Sequence, residues 1–165
     1  MRYYCEQDRS RIEISESGQE VESKSGQSNT TVEWIDVGAL IETAEENEDG
    51  DVWRTGSSSI TRRCGKLTLE VSGGYFNANP QGEMGAAEDY ALVEISDDSG
   101  NSTGRMAIGT CIPSVSRYSA RVDCPKDWVV RLEASVGAQG MSIRTQHSYE
   151  DYRQPIKTTA PPQAH

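Results

Sequence analysis

The sequence has few histidines, no long apolar run and no excess of basic residues, and each of these absences argues against a class of function. No segment approaches the ~18 consecutive apolar residues of a membrane-spanning helix, so we expect no membrane insertion. Its 16 Lys and Arg are outnumbered by 26 Asp and Glu, and a net charge of −10 repels phosphate backbones, so we expect no nucleic-acid partner. The two histidines are too few and too distant to complete a zinc site, so no metal and no cofactor is expected.

Signatures of nucleotide binding and of catalysis are also scarce. Neither a Walker Gly-Lys-Ser/Thr sequence nor a Gly-x-Gly-x-x-Gly sequence occurs, so no phosphate-binding loop is indicated. A catalytic triad would depend on His147, which we expect to be an ordinary surface histidine. Asp and Glu are so abundant that no catalytic pair stands out, although paired carboxylates for glycoside hydrolysis stay an open alternative. We predict that the protein is not an enzyme.

Four cysteines are spread over most of the chain, at Cys5, Cys64, Cys111 and Cys124. Their even number and the lack of Cys-x-x-Cys spacing favour two disulfides, which form in an oxidising compartment. We therefore predict a periplasmic or secreted protein whose sequence begins at or near a mature N terminus; four free thiols in the cytosol are the alternative. Spacing alone leaves three pairings open, of which we favour Cys5–Cys64 and Cys111–Cys124.

Alternation of apolar and polar residues with period two is the main structural signal. It is clearest in residues 66–71, where Leu67, Leu69 and Val71 share a face, and it recurs in residues 11–15, 90–95, 128–134 and 141–143. Residues 106–109 are a further strand, and residues 31–37 and 58–62 are weaker candidates. Clusters of Gly, Asn, Asp and Ser separate these runs and predict turns, including a hairpin at residues 97–104.

This pattern predicts an all-β fold, a single antiparallel β-sandwich or barrel-like domain with short strands and disulfides over residues 3–150. Residues 37–46 have helix-like spacing over a stretch too short to decide between helix and loop. The proline-rich residues 151–165 are predicted to form a mobile tail, because proline cannot extend a central strand.

The negative charge is concentrated in one part of the chain. Residues 1–52 carry 14 acidic and 4 basic side chains, which accounts for the whole net charge of −10. Residues 42–51, the acidic segment, hold six carboxylates without an intervening cation. We predict that this segment binds a basic protein partner, through Glu45, Glu46, Glu48, Asp49 and Asp51. A solvated loop and a weak irregular calcium site are the alternatives; an EF-hand is rejected because Gly56 occupies its twelfth position.

A second unusual stretch, residues 72–87, follows the clearest strand and combines aromatic, amide and glycine residues. This composition is typical of binding loops, which pack closely while presenting hydrogen-bonding groups. We predict that the loop contacts the partner through Ser72, Tyr75, Phe76, Asn77 and Asn79. The alternative is that Tyr75 and Phe76 turn inward and that the glycines only shape a wide turn.

Several short motifs resemble those of small exported proteins of Gram-negative bacteria, most of which are uncharacterised. The motifs are Tyr3-Tyr4-Cys5-Glu6, Arg62-Arg63-Cys64-Gly65, Ser72-Gly73-Gly74-Tyr75 and Asn77-Ala78-Asn79-Pro80-Gln81-Gly82. The opening motif is also similar to that of periplasmic inhibitors of C-type lysozymes, which are small β proteins. Those inhibitors insert a Ser-Gly-x-x-Tyr loop into the lysozyme active site, and the segment from Ser72 to Tyr75 is one residue shorter than that loop.

The acidity, the predicted disulfides and this resemblance together favour a non-catalytic exported binding protein. Its most concrete form is an inhibitor or immunity protein for a cationic cell-wall-degrading enzyme. An envelope structural or carbohydrate-binding module is the alternative, in which Trp34, Trp53 and Trp128 would stack on sugar rings. The oligomeric state stays open.

Overall fold

Extended strands make up nearly all of the computed structural model, which describes residues 1–15, 29–41, 51–78, 86–109, 128–147 and 157–159. In chain order the strands are β1 (Arg2–Glu6), β2 (Arg11–Ser15), β3 (Thr30–Trp34), β4 (Asp51–Cys64), β5 (Leu67–Ala78), β6 (Ala86–Asp97), β7 (Met106–Ile108), β8 (Trp128–Gly137), β9 (Gly140–His147) and β10 (Lys157–Thr159). Within these ranges one 3-10 turn, Gly38–Leu40, follows β3. The prediction of an all-β fold is confirmed. No helix in the described ranges has the length and apolar character needed to cross a membrane.

All ten strands of the described chain belong to one sheet, which branches at β8. One edge of β8 pairs with β9, and β9 pairs in turn with β10. Because a strand has only two edges, the two remaining partners share the second one: β7 lies beside residues 128–129 and β2 beside residues 131–135. Two arms extend from there. We call them the N-terminal arm, β2-β1-β3, and the central arm, β7-β6-β5-β4.

Within the described residues, β7 and β8 form the one parallel pair, and all other pairings are antiparallel. Side-chain alternation does not reveal strand direction, so this pair departs from the antiparallel arrangement that the sequence predicts. The predicted hairpin at residues 97–104 does join two antiparallel strands, β6 and β7. Asp97 shapes its turn, since the Oδ1 atom of Asp97 accepts the N–H groups of Ser99 at 3.0 Å and Asn101 at 2.8 Å.

The two arms face each other across one apolar core. Leu67, Leu69 and Val71 of the central arm are fully buried, as their alternation predicts, and so are Ile12 and Ile14 of the N-terminal arm. Other strands contribute Val93, Ile95, Leu132, Ala134, Met141 and Ile143 to the same cluster. Full burial of one large aliphatic side chain is worth about 1.5–3 kcal/mol, so curling the sheet until the arms meet has a strong driving force.

Element lengths differ from the sequence prediction at several places, and the strand predicted at residues 31–37 already ends at Trp34. The strand predicted at residues 58–62 is part of the 14-residue strand β4, which begins at Asp51. The ambiguous stretch 37–46 contains the single 3-10 turn, after which Ile41 returns to extended backbone; residues 42–46 lie outside the described residues. Within the segment predicted as a mobile tail, β10 pairs with β9. Its residues Lys157–Thr159 contain no proline, so their N–H groups remain available to the sheet.

A disulfide joins the middle strand of the N-terminal arm to the last strand of the central arm. Cys5 of β1 is bonded to Cys64 of β4, with their Cα atoms 5.9 Å apart, and both residues are buried. This pairing was favoured from the sequence and is confirmed. Cys111 and Cys124 lie outside the described residues. Because β1 and β4 do not pair through their backbones, this bond is a covalent link between them that the sheet itself does not provide.

The turn after Cys64 also packs on the N-terminal arm. Gly65 has a φ of +59°, and a Cβ atom there would lie 2.3 Å from the Oγ atom of Ser10 and 2.5 Å from the carbonyl oxygen of Gln7. The Ser10 hydroxyl accepts the N–H of Lys66 at 2.8 Å. Only glycine combines this backbone conformation with so close an approach. We refer to the disulfide and these contacts of Gly65 and Lys66 as the inter-arm junction.

Removal of the disulfide should destabilise the protein strongly. Sequence separation between the two cysteines is 59, and chain-entropy arguments for a loop of that size give about 4 kcal/mol. We expect Cys5→Ala/Cys64→Ala to lower the free energy of unfolding in urea by about that amount. The control Ser59→Ala, at an exposed position of β4, should change it by less than about 0.5 kcal/mol. A loss below about 1 kcal/mol in the double variant would show that the junction holds without the bond.

Candidate functional site

The residues predicted to contact a partner fall on or beside two strands of the central arm. Asp51 is the first residue of β4, and Tyr75, Phe76 and Asn77 belong to β5. Ser72 also lies in β5 and is only 9% exposed. Other predicted contact residues lie outside the described residues, namely Glu45, Glu46, Glu48, Asp49 and Asn79.

The prediction that residues 72–78 form a loop is wrong, because β5 continues to Ala78. These residues pair with β4 on one side and with β6 on the other. Ser72 is buried between its partners Ser59 and Leu92 and is therefore not displayed on a loop. A loop was predicted because glycine and asparagine are typical of turns. Here these residues are part of a strand, because β4 and β6 pair with them on both sides.

The strand register brings the two predicted binding regions together. Asp51 lies opposite Ala78, so the end of the acidic segment adjoins the end of the Tyr75-Phe76-Asn77 stretch. Two residues further along β4, Trp53 lies directly opposite Phe76 of β5. Sequence reasoning proposed both regions separately, but only the pairing of β4 with β5 shows that they are neighbours.

Close packing explains the Gly73-Gly74 pair in this strand. A Cβ atom on Gly73 would lie 2.6 Å from Cγ1 of Ile41 and 3.0 Å from the carbonyl oxygen of Val37. A Cβ atom on Gly74 would lie 2.3 Å from the ring of Tyr90, its cross-strand partner in β6. The lack of a side chain at Gly73 leaves room for the chain that follows β3, and the lack of one at Gly74 leaves room for the aromatic ring of Tyr90. Their role is therefore close approach within a strand.

The chain between the arms forms the other part of the site. Residues 34–41, which we call the crossing segment, leave β3 of the N-terminal arm and reach Gly73 of the central arm. Ile35, Val37 and Leu40 of this segment are buried in the core. Trp34 has the opposite environment, since its side chain is 61% exposed. The crossing segment thus closes one end of the core and presents an indole to solvent.

An ion pair holds the edge strands of the two arms together beside this segment. Arg62 of β4 donates from Nε and Nη2 to the carboxylate of Glu33 in β3, at distances of 2.9–3.2 Å. The hydroxyl of Tyr3 donates to Oε1 of Glu33 at 2.6 Å. Hydrogen bonds from Arg62 hold the pKa of Glu33 below its ordinary value. Burial of the Tyr3 hydroxyl and its hydrogen bond to the Glu33 carboxylate raise the pKa of Tyr3.

A charged cluster on the sheet face opposite the core contains two buried carboxylates and three partly exposed arginines. Glu13 and Glu133 occupy directly opposed positions of β2 and β8 and are 2% and 7% exposed. Arg11 pairs with Glu13, and Arg131 Nη2 lies 2.7 Å from Oε1 of Glu133. Arg144 adds a contact of 3.5 Å to the other oxygen of Glu133. Alternation correctly assigns this face to polar residues, but the burial of the two carboxylates was not predicted.

One pentapeptide, Gly100-Asn101-Ser102-Thr103-Gly104, has the Gly-x-Ser-x-Gly spacing of hydrolase nucleophiles, a match that the sequence reasoning missed. In those hydrolases the serine stands between a strand and a helix. Here the pentapeptide connects two strands, β6 and β7. Ser102 donates to Oε1 of Glu94 at 2.7 Å and accepts the N–H of Gly104 at 2.9 Å, which are contacts of a turn.

Ligands for a metal ion are not grouped in the described part of the chain. No cluster of three or more His, Cys, Asp or Glu side chains there could hold a metal ion. The residues considered for a calcium site before Asp51 lie outside the described residues.

No family model matches the chain, and neither a curated protein nor a solved structure is found to be similar to it. These comparisons leave the resemblance to small exported proteins and to inhibitors of C-type lysozymes as a prediction. Any functional interpretation therefore depends on the residues and the fold.

The close approach at Gly74 predicts that a methyl group there is costly. Gly74→Ala should lower the free energy of unfolding by about 1–3 kcal/mol, because the Tyr90 ring must move. Gly137→Ala is the matched control, since a Cβ atom at Gly137 meets nothing within 4 Å. Urea denaturation measures both. Equal stability of the two variants would show that Tyr90 moves aside without penalty.

The Glu33–Arg62 pair predicts a specific dependence of stability on pH. The folded pKa of Glu33 lies below its ordinary value of 4.5, so the pair stabilises the fold above pH 4.5 and loses this effect as the pH falls through the folded pKa. Glu33→Gln should therefore be less stable than the wild type at pH 7, and the difference should shrink below pH 4.5. Urea unfolding across that range tests this, with Glu70→Gln as an exposed control. A difference independent of pH would contradict the assignment.

Proposed function

We propose that the protein is a non-catalytic exported binding protein that docks on a basic protein partner. Its most concrete form is an inhibitor or immunity protein for a cationic cell-wall-degrading enzyme. One observation supports the proposal: the residue before the acidic segment and the last residue of the segment both lie beside β5. Ile41, just before the segment, packs beside Gly73, and Asp51, at its end, pairs with Ala78. Residues 42–50 lie outside the described residues, but the described residues before and after them, Ile41 and Asp51, both adjoin the strand that contains Tyr75, Phe76 and Asn77.

Charge indicates the kind of partner. The first 52 residues hold the whole net charge of −10, and like charges so close together in the acidic segment repel one another. A surface rich in Lys and Arg relieves that repulsion, and the long-range field steers such a partner toward the segment. Nucleic acids and anionic membrane surfaces carry the wrong sign of charge for this surface.

The disulfide supports an exported location. A buried bond between Cys5 and Cys64 forms readily in the periplasm or outside the cell and is rare in the cytosol. Periplasmic or secreted localisation, which brings the protein to cell-wall enzymes, is therefore part of the proposal.

A carbohydrate-binding or envelope structural module is the second candidate, and the exposed Trp34 is the observation that favours it. Tryptophan side chains in β proteins more often fill the core, whereas this indole is 61% exposed. An exposed indole can stack on the apolar face of a sugar ring. Such binding would resist high salt, whereas docking through the acidic segment would weaken as salt is added.

Binding to a panel of purified cationic muramidases and amidases tests the proposal. We expect the wild-type protein to bind and inhibit at least one member, with an association rate that falls as the salt concentration rises. Replacement of Glu45, Glu46 and Glu48 by Gln and of Asp49 and Asp51 by Asn should lower the association rate by about tenfold or more. Glu70→Gln, a single exposed carboxylate on β5, is the control.

No binding or inhibition by any enzyme of the panel, up to high micromolar concentrations, would overturn the proposed function. Binding of insoluble peptidoglycan that survives high salt would instead favour the carbohydrate-binding module.

A further inference from the structure

Trp34 is exposed at a fixed position on an edge of the described sheet. Its strand, β3, pairs with β1 along one edge, and no described strand pairs with the other edge. The next residue, Ile35, is buried and donates its N–H to the carbonyl oxygen of Met1 at 2.8 Å, while its own carbonyl oxygen accepts a hydrogen bond from the Met1 ammonium at 3.0 Å. The 61% exposure of the indole therefore does not come from a loosely held backbone.

The two faces of the indole have different environments. Arg2 of β1 is the direct cross-strand partner of Trp34, and its guanidinium carbon lies 5.3 Å from the centroid of the Trp34 ring, a cation–π geometry. One face of the ring is thus turned toward β1 and covered by Arg2. The other face is turned away from β1, toward the edge of β3 that no described strand covers. The indole is an oriented ring with one accessible face.

The accessible face stands alone, which favours a small flat ligand over a protein surface. Among the described residues, Trp34 is the one large apolar side chain that is exposed. The core of a protein interface combines several apolar and aromatic side chains. A pyranose ring needs only one indole, because its C–H groups carry partial positive charge and pack on the negatively polarised face of an aromatic ring.

A hydrogen-bond acceptor for sugar hydroxyls lies close to the indole in the chain. Exposure alternates from Trp34 through the buried Ile35 to the exposed Asp36, so the side chains of Trp34 and Asp36 leave the backbone on the same side. A carboxylate accepts hydrogen bonds from hydroxyl groups. It also repels glycans that carry carboxylates or sulfates, and the net charge of −10 acts in the same direction. The one cation at the ring, Arg2, contacts the opposite face, so these charges favour an uncharged sugar.

We propose that Trp34 is the stacking platform of a binding site for an uncharged glycan, in which a pyranose ring lies on the accessible face of the indole and a sugar hydroxyl donates to Asp36. This inference rests on the second candidate function, the carbohydrate-binding module, and adds the ring face, the acceptor and the charge class of the sugar. The site needs no part of the acidic segment, so docking of a basic protein partner can hold or fail independently of it.

Calorimetric titration with chitohexaose, an uncharged oligosaccharide, tests the site. We expect the wild type to bind it with an affinity that does not change with salt. Trp34→Ala should weaken binding by about tenfold or more because the stacking contact is lost, and Trp34→Phe should lie between the two. Asp36→Ala should weaken it by about threefold or more through loss of the acceptor. Thr31→Ala, at an exposed position of the same strand, should leave the affinity within about twofold of the wild type.

Other outcomes contradict separate statements. Equal affinity of the wild type and of a Trp34→Ala variant with unchanged thermal unfolding rejects the platform and leaves the carbohydrate-binding module standing. Tighter binding of a hyaluronan hexasaccharide, in which every second ring bears a carboxylate, rejects the uncharged class. Failure of the wild type to bind chito-, cello- or xylo-oligosaccharides at millimolar concentrations rejects both the site and the module, whereas the enzyme panel decides separately on the basic partner. Weaker binding of a cationic enzyme by Trp34→Ala, with sugar binding unchanged, assigns the indole to a protein interface instead.

Discussion

The contact between the two arms of the sheet is the constraint on which the rest of the structure depends. Both arms branch from β8, and no described strand of one arm pairs with a strand of the other. The arms meet through the end of β4, where Arg62, Cys64 and the turn at Gly65 all contact the N-terminal arm. Because the core is formed by apolar residues of both arms, we expect the contacts of this short stretch to stabilise it.

Much of the fold can be read from the sequence, because alternation reports which faces are apolar. The burial of Ile12, Ile14 and Leu69 follows directly from it, and so does the all-β class. The branching at β8 and the parallel pair with β7 could not be predicted, since pairing between distant strands leaves no local pattern. For the same reason, alternation places Glu13 away from the core but does not reveal that its face is covered.

The candidate site shows the same division between local and distant information. Composition drew attention to the acidic segment and to the stretch around Tyr75, but the glycines and asparagines of that stretch led to the prediction of a loop. The structure has a strand there, in which Gly74 is required by the ring of Tyr90. That Asp51 lies beside the end of β5, and that Trp34 is exposed at the start of the crossing segment, depends on contacts between residues far apart in the chain.

Residue-resolved amide hydrogen exchange of the wild type and of the Cys5→Ala/Cys64→Ala variant tests the role of the inter-arm junction most directly. Exchange protection reports the local free energy of opening for each strand. If the junction holds the arms together, loss of the disulfide lowers protection most in β1, β3 and β4, and least in the β8–β9 hairpin. Retention of wild-type protection by β1 and β4 in the variant would contradict this account.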